Sequence, residues 1–325
     1  MNKEVRMRVA VVGSYGVGET MRTKRFPGPG ETVTDGILSV GHGGKGSNQA
    51  VATRRLGAEV SLLTAVGQDA AAAAAFDLWR REGIDSSQVL EIEEANTMTG
   101  MIIVDDEAEN RIVIAPGALD HLTAADVRSR SELIESADAL IVCLEIPIDA
   151  ASEAVRIGHA AGVLTVFNPA PARPVPHEIF DFIDAMTPNL SEARAILGKD
   201  GSEPGGDPTS SAVSELALAL HVRTGVDVVL TNGADGSIVA DSQGARVVAP
   251  HPPVELVDTT GAGDSFTGAL TVALVEGSDL ETAAERAAEV GAFVVGRHEV
   301  VPSLPHRSEL SDLLWPTMSR SSSHS

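Results

Sequence analysis

The sequence has a single cysteine, few basic residues and no long apolar run. One cysteine, Cys143, excludes an internal disulfide and a zinc site built on several cysteines. It lies in the apolar run 139–144, which predicts a buried structural thiol. Lysine and arginine total 24 against 46 acidic residues, for a formal net charge of −22, which argues against a nucleic-acid partner. No stretch approaches the ~20 apolar residues that cross a bilayer, so we expect no membrane association.

The two ends of the chain predict a cytoplasmic protein with a short disordered tail. Residues 1–8 are charged, and the apolar run 9–12 is too short for a signal peptide. Residues 316–325 are polar and rich in serine, so we expect them to be disordered. The 325 residues, 43% of them hydrophobic, suffice for one large α/β domain plus a small accessory element.

Near the C-terminus, an apolar strand end leads into a glycine-rich turn and a long apolar helix. The residues at 257–266 are Val-Asp-Thr-Thr-Gly-Ala-Gly-Asp-Ser-Phe. Gly261 and Gly263 permit a tight turn and close approach of the backbone to a ligand. The helix, predicted from Asp264 to Val275, begins with unpaired N–H groups and a positive dipole end, so Gly261, Ala262 and Gly263 are predicted to bind phosphate.

Asp264 is the candidate catalytic base of this turn. The positive end of the helix dipole favours its ionised form, which could accept a proton from a hydroxyl at neutral pH. A carboxylate beside a phosphate site indicates phosphoryl transfer to a hydroxyl. The alternative is that Asp264 only caps the helix.

Strands alternate with helices from Ser47 onward, which predicts an α/β fold with a mostly parallel, doubly wound sheet and helices on both faces. Ligands bind such sheets beyond the carboxyl ends of the strands. Three segments, 31–40, 99–104 and 111–115, instead resemble short antiparallel strands. We therefore predict an α/β core from residues 1–14, 41–96 and 116–315, and a small β lid from residues 15–40 and 97–115.

Two other nucleotide motifs fail on inspection. Glycines at 13, 16 and 18 do not have the dinucleotide spacing, and no apolar-periodic helix follows them. The segment Gly43–Gly46 is not a Walker A loop, because Ser39 stands where the first glycine belongs and Gly46 follows the lysine.

The stretch 258–266 resembles the C-terminal signature of the ribokinase-like (PfkB) carbohydrate kinases. Gly-Gly-Lys-Gly-Ser-Asn-Gln-Ala at 43–50 resembles their N-terminal signature, in the form typical of ribokinases. The two signatures occur in the family's order, and the resemblance extends from about Arg8 to Trp315. It implies transfer of phosphate from ATP, with Mg²⁺, to a primary hydroxyl of a small sugar, with D-ribose as the default. It also implies a lid sheet that covers the sugar and pairs two subunits as a homodimer.

The resemblance further implies the sugar contacts. Gly43, Gly44 and Asn48 match residues that line the sugar pocket, and Glu145, directly after a predicted strand, matches a residue that hydrogen-bonds sugar hydroxyls. The amide of Asn48 can both donate and accept, although it could equally be a local helix cap. Lys45 between these glycines has no clear role.

The nucleotide contacts follow in the same way. Asn189 and Glu192 match an Asn-x-x-Glu motif that holds Mg²⁺ through water and orients the phosphates of ATP, and the same spacing forms a plain capping box. Thr231 and Gly233 match contacts to the phosphate and ribose of ATP, in a turn that would need glycine in any case.

A monovalent cation site, usually for K⁺, is implied by Asp258, Thr260 and Ser303. Glu299 stands where ribokinases often have glycine in the loop of this site, so potassium activation is a weaker expectation than the use of ATP.

The first loop departs from the family pattern. Ribokinases usually carry an asparagine and an aspartate there, and both contact the sugar; the matching residues are Gly16 and Gly18, with Glu19 next to them. Losing these polar partners predicts weak binding of free ribose. The open space suits another sugar, a sugar acid, or a nucleoside whose base could stack on Tyr15, the only tyrosine. A non-catalytic sugar- or nucleotide-binding regulator is the alternative from another class, although it would not need Asp264.

Overall fold

The computed structural model describes residues 7–107, 109–199, 209–251 and 255–316. Its strands are β1 (Arg8–Val12), β2 (Gly16–Arg22), β3 (Ile37–Gly43), β4 (Glu59–Leu63), β5 (Ala65–Gly67), β6 (Leu90–Ile92), β7 (Met98–Val104), β8 (Asn110–Ala115), β9 (Ala139–Cys143), β10 (Leu164–Asn168), β11 (Ala185–Met186), β12 (Asp227–Thr231), β13 (Ser237–Asp241) and β14 (Gly244–Val248). Its helices are α1 (Lys45–Arg55), α2 (Ala70–Glu82), α3 (Ala124–Arg128), α4 (Ser131–Glu135), α5 (Ile148–Ala161), α6 (Leu190–Ile196), α7 (Ser210–Thr224), α8 (Ala262–Val275), α9 (Leu280–Val295) and α10 (Val300–Ser303).

An eight-stranded sheet forms the centre of the molecule, in the order β14-β13-β12-β11-β10-β9-β1-β4. All pairs from β4 to β12 are parallel, and β13 and β14 add an antiparallel edge. Strands such as β9 are apolar throughout and fully buried, as strands covered on both faces must be. The predicted α/β fold with a mostly parallel, doubly wound sheet is therefore confirmed.

Two apolar layers cover the two faces of this sheet. Along β1, Val9 and Val11 face the layer built by α1, α2, α8 and α9, whereas Ala10 and Val12 face the layer that contains α3, α5 and α7. Successive side chains of a strand point to opposite faces, so one short apolar run supplies both layers. Burial on both faces fixes the strands and brings their carboxyl ends to one edge.

A separate four-stranded sheet, called the lid, has the order β3-β2-β7-β8. The strand β2 was not predicted, and it pairs with β7 in parallel. The pairs β2–β3 and β7–β8 are antiparallel. Glycine and charged residues disfavour a strand locally, and β2 forms because neighbours on both sides supply its hydrogen bonds.

Several element boundaries differ from the predicted ones. Helix α1 begins at Lys45 rather than Ser47, and α8 begins at Ala262 rather than Asp264. The short elements α3, α4, α10 and β6 were not predicted. Of the predicted disordered tail, only Pro316 lies within the described residues. None of the described helices has the length and apolar character needed to cross a membrane.

Candidate active site

Asp264 lies in the first turn of α8 and is buried. The side-chain amide of Asn48 donates to Asp264 Oδ2 at 2.8 Å, and Lys45 Nζ lies 4.0 Å from Asp264 Oδ1. The N-cap of α8 is Gly261, with no side-chain cap, so the alternative of Asp264 as a capping residue was wrong. The carboxylate is instead held by side chains from the start of α1.

Burial raises the pKa of Asp264 above its usual value, and the Lys45 cation and the Asn48 hydrogen bond oppose that shift. The direction is contrary to the expectation from the helix dipole, because desolvation outweighs it. The charge of Asp264 in turn raises the pKa of Lys45, so this lysine stays protonated. A carboxylate with a raised pKa is a stronger proton acceptor, which suits a general base.

The turn before α8 presents backbone N–H groups to solvent. Gly261 has φ 83°, and an added Cβ would lie 2.5 Å from Cγ1 of Val300, so only glycine fits. The N–H of Ala262 donates to the carbonyl of Thr259 at 3.3 Å, whereas those of Gly261 and Gly263 have no acceptor in the part of the chain that the structure describes. Two free donors at the positive end of a helix suit a phosphate oxygen.

Gly44 connects the lid strand β3 to α1, and Asn48 lies in the first turn of α1. Gly44 has φ 88°, and an added Cβ would lie 2.5 Å from the Cα of Tyr15, so this position also requires glycine. The backbone N–H of Asn48 donates to the carbonyl of Gly44. Its side chain contacts Asp264 rather than capping α1, so the alternative of a local cap was wrong. Asn48 Oδ1 is buried without a hydrogen-bond partner among the described residues, which leaves an acceptor for a ligand hydroxyl.

Glu145 is the second residue after β9, and its Oε2 accepts from Ser14 Oγ at 2.6 Å and from the backbone N–H of Lys45 at 2.9 Å. The charge of this carboxylate also acts on Asp264 and contributes to its raised pKa, so Glu145 belongs to the same cluster. Sequence reasoning missed Ser14, which follows β1 as Glu145 follows β9; the strand-end rule could have found it. It also left Lys45 without a role, and no local signal places its ammonium beside Asp264.

Asn189 is the N-cap of α6 and forms a full capping box with Glu192. Glu192 is buried, and burial raises the pKa of its carboxyl. Asn189 forms a parallel bridge with Thr231, so the two predicted nucleotide segments are neighbours. Gly233 begins the turn after β12, with φ 57°. No described group of three or more His, Cys, Asp or Glu side chains could hold a metal ion, so an ion there would need water or phosphate ligands.

The predicted monovalent-cation residues are only partly brought together. Asp258 Oδ1 accepts from the backbone N–H of Thr260 at 2.9 Å and from its hydroxyl at 2.7 Å. The hydroxyl of Ser303 is buried and donates to the carbonyl of Val300, the residue that packs on Gly261. Glu299 has φ 63°, the only positive φ of a non-glycine residue in the described ranges.

The first loop after β1 runs into β2. Gly43 lies opposite Gly16 on β3, beside the site. Glu19 alternates with Gly18 along β2, so its side chain is on the opposite face of the lid and is not a substitute for a carboxylate at position 18. Tyr15 is fully buried against Trp79, which excludes the predicted stacking of a base on this ring.

Comparison with known proteins agrees with this geometry. The model of the pfkB family carbohydrate kinases matches residues 8–307. A ribokinase of Schizosaccharomyces pombe is 35% identical over 311 residues, covering 94% of this chain and 96% of the relative. A ribokinase of Bacillus subtilis is 34% identical, covering 94% and 99%. The structure of Arabidopsis thaliana ribokinase complexed with ribose and ATP has a TM-score of 0.86 at 25% identity, covering 95% and 99%. The chain therefore belongs to the pfkB family of carbohydrate kinases and is an enzyme of that class.

Proposed function

We propose that this kinase transfers the γ-phosphoryl group of ATP to a primary hydroxyl of a small sugar, with D-ribose as the default substrate. The observation that carries the proposal is the Asn48–Asp264 pair, which lies at the start of α8 beside free backbone N–H groups. It combines a buried carboxylate, an unpartnered acceptor on Asn48 and two donors for phosphate oxygens. A transfer site needs these three functions at one place.

In the proposed mechanism, Asn48 and Glu145 hold the sugar so that its primary hydroxyl faces Asp264. Asp264 accepts the hydroxyl proton as the oxygen forms its bond to the γ-phosphorus, and the bond from that phosphorus to the bridging oxygen of ADP breaks. The N–H groups of Gly261 and Gly263 stabilise the charge on the transferred group. Lys45 lies 4.0 Å from Asp264 and lowers the cost of the buried negative charge.

We assign the residues that bind ATP and its metal ions from the chemistry of their side chains. Asn189 and Thr231 are neighbours, and we place the phosphates of ATP between them and the turn before α8. Glu192 would hold Mg²⁺ through water, and when bound this ion supplies positive charge to the phosphates. Asp258, Thr260 and Ser303 form the proposed site for K⁺. Because the reaction consumes ATP, we place the enzyme in the cytoplasm.

We also propose that the lid pairs two subunits. Leu38, Val40, Met101 and Val113 share one face of the lid, which we call the outer face, and are 54%, 60%, 53% and 73% exposed. Large apolar side chains clustered on one sheet face mark an interaction surface. A second copy of the same face would cover these apolar side chains.

The test is a coupled ADP-release assay with Mg·ATP and K⁺ across pentoses, hexoses, sugar acids and nucleosides. Asp264→Asn keeps the Asn48 contact and removes the base, so turnover should fall by about 10²–10⁴-fold with little change in sugar binding. Asp77→Asn, at an exposed helical position, is the matched control. Unchanged turnover in Asp264→Asn would disprove the assignment of the base. Binding of sugar or nucleotide without any turnover would favour a non-catalytic regulator.

A further inference from the structure

Four buried polar side chains are hydrogen-bonded in series near Asp264, and the proposed mechanism does not use them. They come from α1, the end of β10, the residue after β11, and α8. Gln49 Nε2 donates to Asn168 Oδ1 at 3.1 Å, Asn168 Nδ2 lies 3.3 Å from Thr187 Oγ1, and the hydroxyls of Thr187 and Thr267 lie 2.8 Å apart. Each of these residues is at most 5% exposed. We call Gln49, Asn168, Thr187 and Thr267 the buried network.

The direction of each hydrogen bond in the buried network can be assigned. Asn168 Nδ2 also donates to the backbone carbonyl of Thr187 at 3.0 Å, which fixes the orientation of this amide because a carbonyl only accepts. The hydroxyl of Thr267 donates to the carbonyl of Gly263 at 3.0 Å. A hydroxyl has one proton, so Thr267 must accept from Thr187, and Thr187 must accept from Asn168. Donation therefore runs in one direction, from Gln49 to Gly263.

Both ends of the buried network reach the proposed base. The carbonyl of Gly263 belongs to the peptide group that joins Gly263 to Asp264, in the first turn of α8. At the other end, Gln49 follows Asn48 on α1. Burial raises the pKa of Asp264, and the side-chain amides of Asn48 and Gln49 both oppose that shift, which places both amides close to the carboxylate. The network therefore holds Asp264 through its backbone and through its side chain.

The side chain of Gln49 costs the folded state free energy. This residue is fully buried, and its Oε1 has no hydrogen-bond partner among the described residues. An unsatisfied buried carbonyl destabilises a protein, and an apolar side chain of similar length would avoid that cost. Stability therefore does not account for a glutamine here, whereas its place beside the base does.

We infer that the four residues of the buried network are positioning residues, which hold the carboxylate of Asp264 and the phosphate-binding turn in a fixed relation during transfer. Phosphoryl transfer needs the base and the transferred group aligned, and a displacement of about 1 Å can lower the rate about 10²-fold. Asn168 and Thr187 stand at the ends of the paired strands β10 and β11, so the central sheet anchors the network. The inference rests on the proposed kinase function and adds residues that act through Asp264 rather than on the substrate.

The test measures kcat and KM of Gln49→Met, Thr267→Val and the double variant, with Mg·ATP, K⁺ and the substrate of the panel above that wild type turns over fastest. Each single variant should lower kcat about tenfold or more and change either KM less than about threefold, because alignment rather than ground-state binding is lost. Residues that act as one unit are not additive, so the double variant should lose about as much as one single variant.

Two further variants of α8 serve as controls. Thr271 is also buried, and its hydroxyl donates to the carbonyl of Thr267 at 2.8 Å, outside the buried network. Thr271→Val therefore removes the same kind of hydroxyl and should leave kcat unchanged. Thr267→Ser keeps the hydroxyl and should recover kcat to within about threefold of wild type. Thr187→Val, which breaks the middle of the network, replaces Gln49→Met if that variant does not fold.

The outcomes separate this inference from the proposed function. If wild type is active, the inference is overturned by unchanged kcat in both single variants, by losses that multiply in the double variant, or by an equal loss in Thr271→Val. Failure of Thr267→Ser to recover kcat would also overturn it, because the hydroxyl would then not be the group that matters. Each of these results leaves the kinase function intact. Absence of wild-type turnover on every substrate contradicts the proposed function, and the inference with it.

Discussion

The protonation state of the proposed base, Asp264, depends on its neighbour Lys45. Burial raises the pKa of Asp264, and the first contribution that lowers it again is the charge of Lys45. Asp264 can act as a base only when it is deprotonated. We therefore expect kcat to be high at pH values above the pKa of Asp264 and to fall as the pH drops below that pKa.

Lys45→Met should therefore move the acidic limb of the kcat–pH profile to higher pH, because the pKa of Asp264 rises further when the neighbouring cation is removed. Lys45→Arg keeps the charge and should leave the limb close to its wild-type position. The profile is measured with saturating sugar and Mg·ATP. A limb that stays in place in Lys45→Met would show that Asp264 is not the group that titrates.

Glu299 is strained, since φ 63° is costly for a residue with a Cβ. Glu299→Gly should raise the free energy of unfolding by about 1 kcal/mol, less the backbone entropy that glycine adds to the unfolded chain. The matched control is Glu285→Gly at an exposed position inside α9, which should lower the free energy of unfolding by about 1 kcal/mol. Urea unfolding of both variants measures the two changes. Destabilisation by both would mean that the loop gains more from the Glu299 side chain than it loses in strain.

At the scale of elements, Asp69 ties the start of α2 to the entry of the lid strand β7. Its carboxylate accepts from the backbone N–H of Ala72 and from both the backbone and the hydroxyl of Thr97, each at 2.8 Å. These hydrogen bonds outweigh the desolvation of Asp69, and the pKa of its carboxyl is lowered. One side chain thus fixes a helix end and the base of the lid together.

Asp69→Ala should lower the free energy of unfolding by about 1–2 kcal/mol near pH 7, as expected for loss of an N-cap. Because the pKa of Asp69 is lower in the folded than in the unfolded state, its charge stabilises the folded state at pH values above the unfolded pKa. This stabilisation is lost as the pH falls through the folded pKa. The difference between Asp69→Ala and wild type should therefore shrink below about pH 4. Thermal unfolding across pH measures it, with Asp279→Ala, the N-cap of α9, as a control that leaves the lid untouched. A difference independent of pH would contradict a role for the charge.

Elements with a strong local signal were predictable, and those that depend on distant partners were not. The sequence predicts a helix from Leu280 to about Val295, and α9 has these bounds because an apolar period and an N-cap coincide there. By contrast, β2 reads Gly-Val-Gly-Glu-Thr-Met-Arg and becomes a strand through pairing with residues 37–43 and 98–104.

The candidate site likewise contains residues that the sequence marks and contacts that no local sequence pattern shows. Asp264, Asn48 and Glu145 stand at strand ends or helix starts that the sequence marks, and the structure places them around one space. The contact of Ser14 with Glu145 spans 131 residues and that of Lys45 with Glu145 spans 100, so no local pattern contains them. The assigned roles of these residues stay predictions.

For the whole molecule, the outer face of the lid predicts a dimer. Val113→Glu places a charge among apolar side chains that a partner would bury, where an unpaired charge costs several kcal/mol, so the variant should be monomeric. Val222→Glu on α7 is the matched control, since Val222 is 76% exposed and lies outside the lid. Light scattering during gel filtration gives the mass of each. A dimer that persists in Val113→Glu would place the interface elsewhere, and a monomeric wild type would contradict the proposed pairing.

Because Cys143 is buried, the protein can be labelled at an introduced cysteine without competition from the native thiol. Its thiol is fully buried, and burial raises its pKa to about 11, so maleimides and alkylating reagents should not reach it in the native protein. A cysteine introduced at Glu107, in the exposed turn between β7 and β8, would then be the single reactive thiol. A fluorophore attached there would report the opening and closing of the lid during turnover without removal of the native cysteine.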